Sequence, residues 1–172
     1  MAIDIMHLTT QARAGDAEAF GMLYESHARD MYRYALYALG SESLAQDAVQ
    51  DAALLALRAV HSLRDPASFR SWIFRILANR CKRMLRAKYT DAVSLDEQFQ
   101  EIAADDGPLE RALELRQAMA ALPGAERDIV MLSVIEGYDS NEISRTLGIP
   151  AGTVRSKLSR ALAKLRKEME LP

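Results

Sequence analysis

The chain has little of what equips many other protein classes. Its 172 residues include one cysteine, Cys81, which excludes an intrachain disulfide and fits a reducing cytosol. Only 5 prolines and 8 glycines occur, and β-branched runs are scarce. Ala, Leu, Glu, Arg and Gln recur instead, which predicts an all-α chain. The longest run without a polar side chain, Ala52 to Leu57, is far shorter than the roughly 20 residues that span a bilayer, so no membrane insertion is expected. Asp4 and His7 interrupt the start of the chain, so it does not read as a secretory signal. There is no phosphate-cradling glycine-rich loop, no Cys/His metal spacing and no Ser-x-Gly nucleophile turn. An enzyme is therefore the least favoured class, and neither a cofactor nor a metal is expected.

What is present is charge, unevenly spread. The net charge of -2 does not by itself suggest a nucleic-acid binder. Residues 64–89, however, carry eight bases against the single acid Asp65, a local charge of +7. Residues 90–110 carry seven acids and no base, and residues 143–172 carry seven bases against Glu168 and Glu170. Two basic blocks are thus separated by an acidic one, giving two candidate phosphate-binding surfaces.

The clearest local pattern runs from Asp139 to Lys167. Asp139 and Glu142 have capping-box spacing, and Gly148-Ile149-Pro150 stops the short helix they open. In the next helix Val154, Leu158, Ala161 and Leu165 share one apolar face. The other faces hold Arg155, Lys157, Arg160, Lys164, Arg166 and Lys167. This is a helix-turn-helix pattern whose second helix suits a DNA major groove. The plainer alternative is an antiparallel helix pair with a solvated basic face.

The rest reads as further helices. Residues 1–16 are expected to fray or form a short lead-in helix. Asp16 is placed to cap a helix that Gly40 ends, with Phe20, Leu23, Tyr24, His27, Met31, Tyr34 and Ala35 on its wide apolar face. Ser43 and Gln46 have capping-box spacing for a helix from Leu44 to about Val60, burying Leu44, Ala48, Ala52 and Leu55. Asp47, Gln50 and Asp51 lie near its start, either complementing the macrodipole or docking a basic partner. Asp65-Pro66 starts a helix with Phe69, Trp72, Ile73, Ile76 and Leu77 inside. Arg75, Asn79, Lys82 and Arg86 form a neighbouring ridge suited to a nucleic-acid backbone and a base edge. Residues 89–107 lose periodicity and read as an acidic linker, with short helical turns around Leu95 to Ile102. Helices from Pro108 to Ala121 and from Ala125 to about Glu136 follow, the second burying Ile129, Val130, Leu132 and, in part, Val134. The division is residues 1–89, a flexible acidic linker at 90–109, and residues 110–172.

The runs LAQDAVQDAALLALRAV, DPASFRSWIFRILANRCKRML and LPGAERDIVMLSVIEGYDSNEISRTLGIPAGTVRSKLSRALAKLRKEM appear in that order. Together they resemble an extracytoplasmic-function (ECF) sigma factor of the sigma-70 family, over about residues 16–89 and 110–168. The resemblance implies a cytoplasmic initiation factor that binds core RNA polymerase and promoter DNA and is restrained by an anti-sigma factor. It implies that the first domain, region 2, holds the polymerase clamp helices and the −10 element. The second, region 4, would read the −35 element. Asp47, Gln50 and Asp51 match the family's clamp-docking positions. Asn79 matches the asparagine lining a pocket for a flipped −10 base, with Arg64, Arg75, Lys82 and Arg86 around it. The loop from His61 to Ser68 matches the base-selecting segment. Arg155, Ser156, Ser159 and Arg160 match −35-contacting positions, with Lys157 and Lys164 beside them. The chain departs from the family at Leu63-Arg64-Asp65, where many members carry aromatic-Arg-Gly, and at Ala53-Leu54, where many carry an aromatic. Two alternatives stand beside this reading. One is a sigma-like mimic that titrates an anti-sigma factor. The other is a simple helix-turn-helix regulator, which leaves the first domain and the linker unexplained.

Overall fold

In the computed structural model the described residues are 4–90 and 109–169, and they are helical without a strand among them. The chain divides into two compact units, Met1–Asp96 and Glu97–Pro172. The expected acidic linker, its helical turns and the Pro108 helix start fall on residues 91–108, outside the described residues.

The first unit contains α1 (Ile5–Arg13), α2 (Ala17–Leu39), α3 (Glu42–Ala59) and α4 (Phe69–Thr90), with short 3-10 turns at Val60–Ser62 and Pro66–Ser68. Asp4 caps α1 by accepting from His7 N at 3.0 Å, so the lead-in segment is a defined helix with Leu8 and Ala12 buried. Asp16 caps α2, accepting from the amides of Glu18 and Ala19. Gly40 ends α2 in the left-handed region at φ 65°, with its N–H on Leu36 O, a conformation that glycine adopts without a Cβ penalty.

The start of α3 differs from the sequence expectation. Its cap is Ser41, whose Oγ accepts from Leu44 N at 3.4 Å, and Ser43 lies inside the helix. Gly40 closes α2, so the next residue, extended at φ -145°, is already the N-cap. The buried face also differs. Ala45, Ala48, Val49, Ala52 and Ala56 are inside, whereas Leu55 is 46% exposed. Four alanines at helical spacing let α3 lie close against α2 and α4, which it packs between. A leucine-lined seam would hold those backbones further apart.

In α4, Phe69, Ile73, Phe74 and Leu77 are fully buried. Tyr34 meets Phe74 edge-on at 6.0 Å, and Phe20 meets Phe69 edge-on at 6.3 Å, geometries that add to simple area burial. Phe74 was absent from the expected stripe, and the expected Trp72 and Ile76 are only half-buried.

The second unit contains α5 (Leu109–Ala121), α6 (Gly124–Val130), α7 (Ser140–Leu147) and α8 (Ala151–Glu168). α6 runs on into a single π-helical turn, Met131–Ile135, closed by Glu136 N to Met131 O at 3.1 Å. The wider turn changes the phase of the helix. Met131 and Leu132 point inward, and Val134 is 60% exposed against the expectation of partial burial. The capping box of α7 is complete. Asp139 accepts from the amides of Asn141 and Glu142, and Glu142 accepts from Asp139 N at 2.9 Å. Gly148 at φ 70° turns the chain toward α8.

Arg127 ties α5 to α6. Its Nε donates to Met119 O at 2.9 Å, and its Nη2 donates to Ala120 O at 2.8 Å and Leu122 O at 3.1 Å. One guanidinium thus satisfies carbonyls that the end of α5 leaves without helical partners. Arg127→Met should lower the stability of the second unit by about 2 kcal/mol in urea denaturation, because charged hydrogen bonds to those carbonyls are lost. An unchanged midpoint would show that water replaces the side chain without cost.

Candidate nucleic-acid interface

The cationic ridge of the first unit stands on the face of α4 opposite its core stripe. Arg75, Asn79, Lys82 and Arg86 are all exposed, one helical turn apart. Among the described residues no acid forms an ion pair with Arg75. The structure therefore brings these four together as an outward row.

The loop before α4 is built rather than slack. Leu63 is buried and anchors it, while His61, Ser62 and Arg64 are exposed. Asp65 accepts from Ala67 N at 3.0 Å, and Ser68 Oγ donates to Asp65 O at 2.7 Å. Leu63 and Asp65, the two residues of Leu63-Arg64-Asp65 that differ from the aromatic-Arg-Gly pattern, thus have local structural roles, an anchor and a cap. α1 packs against both 3-10 turns and backs the loop, a support that the sequence pattern of residues 1–16 did not reveal.

His27 lies beneath the start of α4. It is buried, its ring edge-on to Phe69 at 5.6 Å, and its Nδ1–H donates to Leu23 O at 2.8 Å. The Ser26 hydroxyl donates to the same carbonyl at 2.7 Å. Burial lowers the His27 pKa; the Leu23 hydrogen bond opposes this, Arg70 adds to it and Asp30 opposes it.

On α3, Asp47 and Gln50 are exposed. Asp51 is placed differently, because its carboxylate is in an ion pair with Arg80 of α4. Leu54 and Leu57, 47% and 42% exposed, lie at helical spacing on the same outer face as Asp47 and Gln50. The sequence reading missed them. A run of leucines near a predicted apolar face looks like core until the alanine seam is known.

In the second unit Val154, Ala161 and Leu165 of α8 are buried and Leu158 is half-buried. Arg155, Ser156, Ser159 and Arg160 are exposed, and Lys157 is half-buried. Among the described residues no acid forms an ion pair with Arg155. It borders an open groove along α8 with Leu158, Ser159, Leu162 and Arg166. Arg160 Nε donates to Ser156 O at 3.3 Å, which lays the guanidinium along the helix, and Ser156 Oγ donates to Thr153 O at 3.1 Å.

Lys164 points elsewhere. Its Nζ donates to Glu126 Oε2 of α6 at 2.9 Å, with Glu126 buried and Lys164 more than half exposed. Lys164 holds the Glu126 pKa below the usual carboxylate range through that hydrogen bond; burial opposes it, and the charges of Lys164, Arg160 and Lys157 reinforce it. Glu126 appeared in no sequence-based candidate set. Its only sequence signal is an acid in the first turn of a helix, which the macrodipole already explains.

No group of three or more His, Cys, Asp or Glu among the described residues is arranged to hold a metal, and no helix there is long and apolar enough to cross a membrane.

Residues 23–90 match the family model for sigma-70 region 2, and residues 112–165 match that for sigma-70 region 4. The class is therefore that of helical transcription proteins built from two sigma-type regions. The chain is 35% identical over 155 residues to the ECF RNA polymerase sigma factor SigM of Mycobacterium tuberculosis, covering 90% of this chain and 79% of that protein. It is 30% identical over 166 residues to SigL of the same species, covering 92% and 93%. CnrH, solved in complex with the cytosolic domain of CnrY, is similar with a TM-score of 0.76 at 26% identity, covering 96% of this chain and 97% of CnrH. The sigma factor RpoE of Bartonella quintana, solved with the anti-sigma factor NepR, shares the fold with a TM-score of 0.80 at 21% identity, over 90% and 99%. The chain belongs to the ECF sigma factors of the sigma-70 family.

A neutral His27 beneath α4 has a consequence for pH. Its folded pKa lies below the ordinary value near 6.5, so the unfolded chain takes up the proton first as pH falls. The stability it contributes is full above about 6.5 and is lost as pH drops through that value toward the folded pKa. Thermal melts should show the first unit's midpoint falling between about pH 7 and pH 5.5, and His27→Gln should flatten that part of the profile. Parallel profiles for wild type and variant would sink the assignment.

Proposed function

We propose that this sigma factor binds core RNA polymerase through α3 and reads a promoter at two places, the −10 element with α4 and its preceding loop and the −35 element with α8. The domains behind this are residues 1–89, an acidic tether at 90–109, and residues 110–172. The observation that carries the reading is the outward placement of two cationic rows, Arg75-Asn79-Lys82-Arg86 and Arg155-Ser156-Ser159-Arg160, each on a helix whose opposite face is buried. Cations at helical spacing match the phosphate repeat, and one amide or guanidinium among them suits a base edge.

Asn79 serves a flipped −10 base, supported by the exposure of its amide between Arg75 and Lys82; Arg64 in the loop lies on the strand entering that pocket. Extruding a base costs a few kcal/mol of stacking, which a preformed ridge offsets. At the −35 duplex, Arg155 and Arg160 reach base edges from either side of the small residues Ser156 and Ser159, and Lys157 holds a phosphate. Lys164 stands outside this contact set, given its bond to Glu126. For polymerase docking, Asp47 and Gln50 provide the polar part of the α3 face, and Leu54 and Leu57 add an apolar part. The protein has no enzymatic activity of its own and works in the cytoplasm. An anti-sigma factor restrains it by covering these faces, in keeping with the complexes in which CnrH and RpoE were solved.

Run-off transcription with purified core polymerase tests the whole. The chain should direct transcripts from specific promoters; none, together with tight binding to an anti-sigma factor, would mark a mimic. Arg160→Ala should relax selection at one −35 position by about 1–3 kcal/mol, roughly 5- to 150-fold. Asp47→Arg should weaken binding to core polymerase without changing the melting profile. Wild-type behaviour of both variants would remove these assignments.

A further inference from the structure

We propose that Glu126 is a specificity-determining residue of the −35 reader, because it holds Lys164 in an internal ion pair and so withholds one cation from sequence-independent phosphate binding. This rests on the reading of α8 as a duplex-binding helix. α8 carries cations on two flanks. Arg155 and Arg166 line its open groove, whereas Lys157, Arg160 and Lys164 lie on the side whose charges act on Glu126.

Glu126 is 6% exposed and sits in the first turn of α6, which packs along α8. Its Oε2 lies 2.9 Å from Lys164 Nζ. The neighbouring residue Arg127 fixes that turn to the end of α5 through three carbonyls. The carboxylate is therefore anchored from behind and cannot follow Lys164 outward. A buried carboxylate that loses its cation keeps its desolvation cost without compensation, so Lys164 stays with Glu126 rather than moving to a DNA phosphate.

The effect on recognition follows from counterion release. Each phosphate neutralised strengthens binding to any sequence and steepens its salt dependence, with no gain in discrimination. Holding Lys164 back lowers affinity for random duplex and leaves the contacts of Arg155 and Arg160 a larger share of the binding energy.

Salt-dependent binding of the full chain to a 30-base-pair duplex of random sequence tests this without knowledge of the promoter. In Glu126→Gln the freed Lys164 should gain a phosphate contact, steepening the slope of log K against log salt by about 0.9. Glu126→Gln with Lys164→Gln should return it to the wild-type value. Lys164→Gln alone, a change at an exposed position that serves even if Glu126→Gln does not fold, should leave the wild-type slope unaltered, whereas Arg155→Gln should reduce it. Equal slopes for wild type and a folded Glu126→Gln, or an equal reduction by Lys164→Gln and Arg155→Gln, would overturn the inference while leaving α8 a DNA-binding helix. Failure of the wild type to bind any duplex, alone or with core polymerase, would overturn the reading of α8 itself.

Discussion

A helix offers a row of cations outward only when its opposite stripe is held down, and both units depend on that constraint. In α4 the stripe is Phe69, Ile73, Leu77 and Cys81, all at most 2% exposed. In α8 it is Val154, Ala161 and Leu165. Burial of these apolar side chains, at roughly 1.5–3 kcal/mol for each large one, is the favourable term. The lateral repulsion between Arg75, Lys82 and Arg86, or between Arg155 and Arg160, is screened by solvent and is small beside it. The cationic rows are thus tolerated by the fold, and Arg75 and Arg155, with which no acid among the described residues forms an ion pair, leave their charge open to an outside partner.

α3 obeys the same constraint with a different filling. An alanine seam brings it close to two neighbouring helices and leaves its larger apolar residues outside. Leu54 and Leu57 add nothing to the unit's interior and are open to an external contact. Their alignment with Asp47 and Gln50 gives that face a mixed character, with one acid and one amide suited to a basic or polar partner and leucines available to bury against it. Asp51 is the exception within the expected trio, because its carboxylate joins α3 to α4 through Arg80.

Legibility in the sequence followed the strength of the local signal. The second unit's turn was readable because three independent features agree there: the Asp139–Glu142 box, Gly148 followed by Pro150, and one clean apolar stripe. The all-α class and the cationic ridge of α4 were readable from composition and spacing. The inward face of α3 was not, because an Ala/Leu-rich helix has two apolar faces and only packing distance decides between them. The cap of α3 was misplaced for a related reason: Ser41 and Ser43 both fit a cap, and the left-handed Gly40 settles which one is used. The π turn after α6 could not be foreseen, since no residue type in Met131–Ile135 marks it, and with it went the burial assigned to Val134.

Glu126 and Lys164 show a further limit. They are 38 residues apart, and each has a sufficient local explanation, an acid near a helix start and a base near a helix end. A count of cations along α8 therefore overstates the charge it presents. Setting Lys164 aside leaves Arg155, with which no acid among the described residues forms an ion pair, and Arg160, steadied by the Ser156 carbonyl, as exposed cations on the row proposed to read the duplex. The charge that α8 presents is set as much by the cation held at Glu126 as by those left outside. That is a property of tertiary packing, which brings α6 against α8 only after both helices exist.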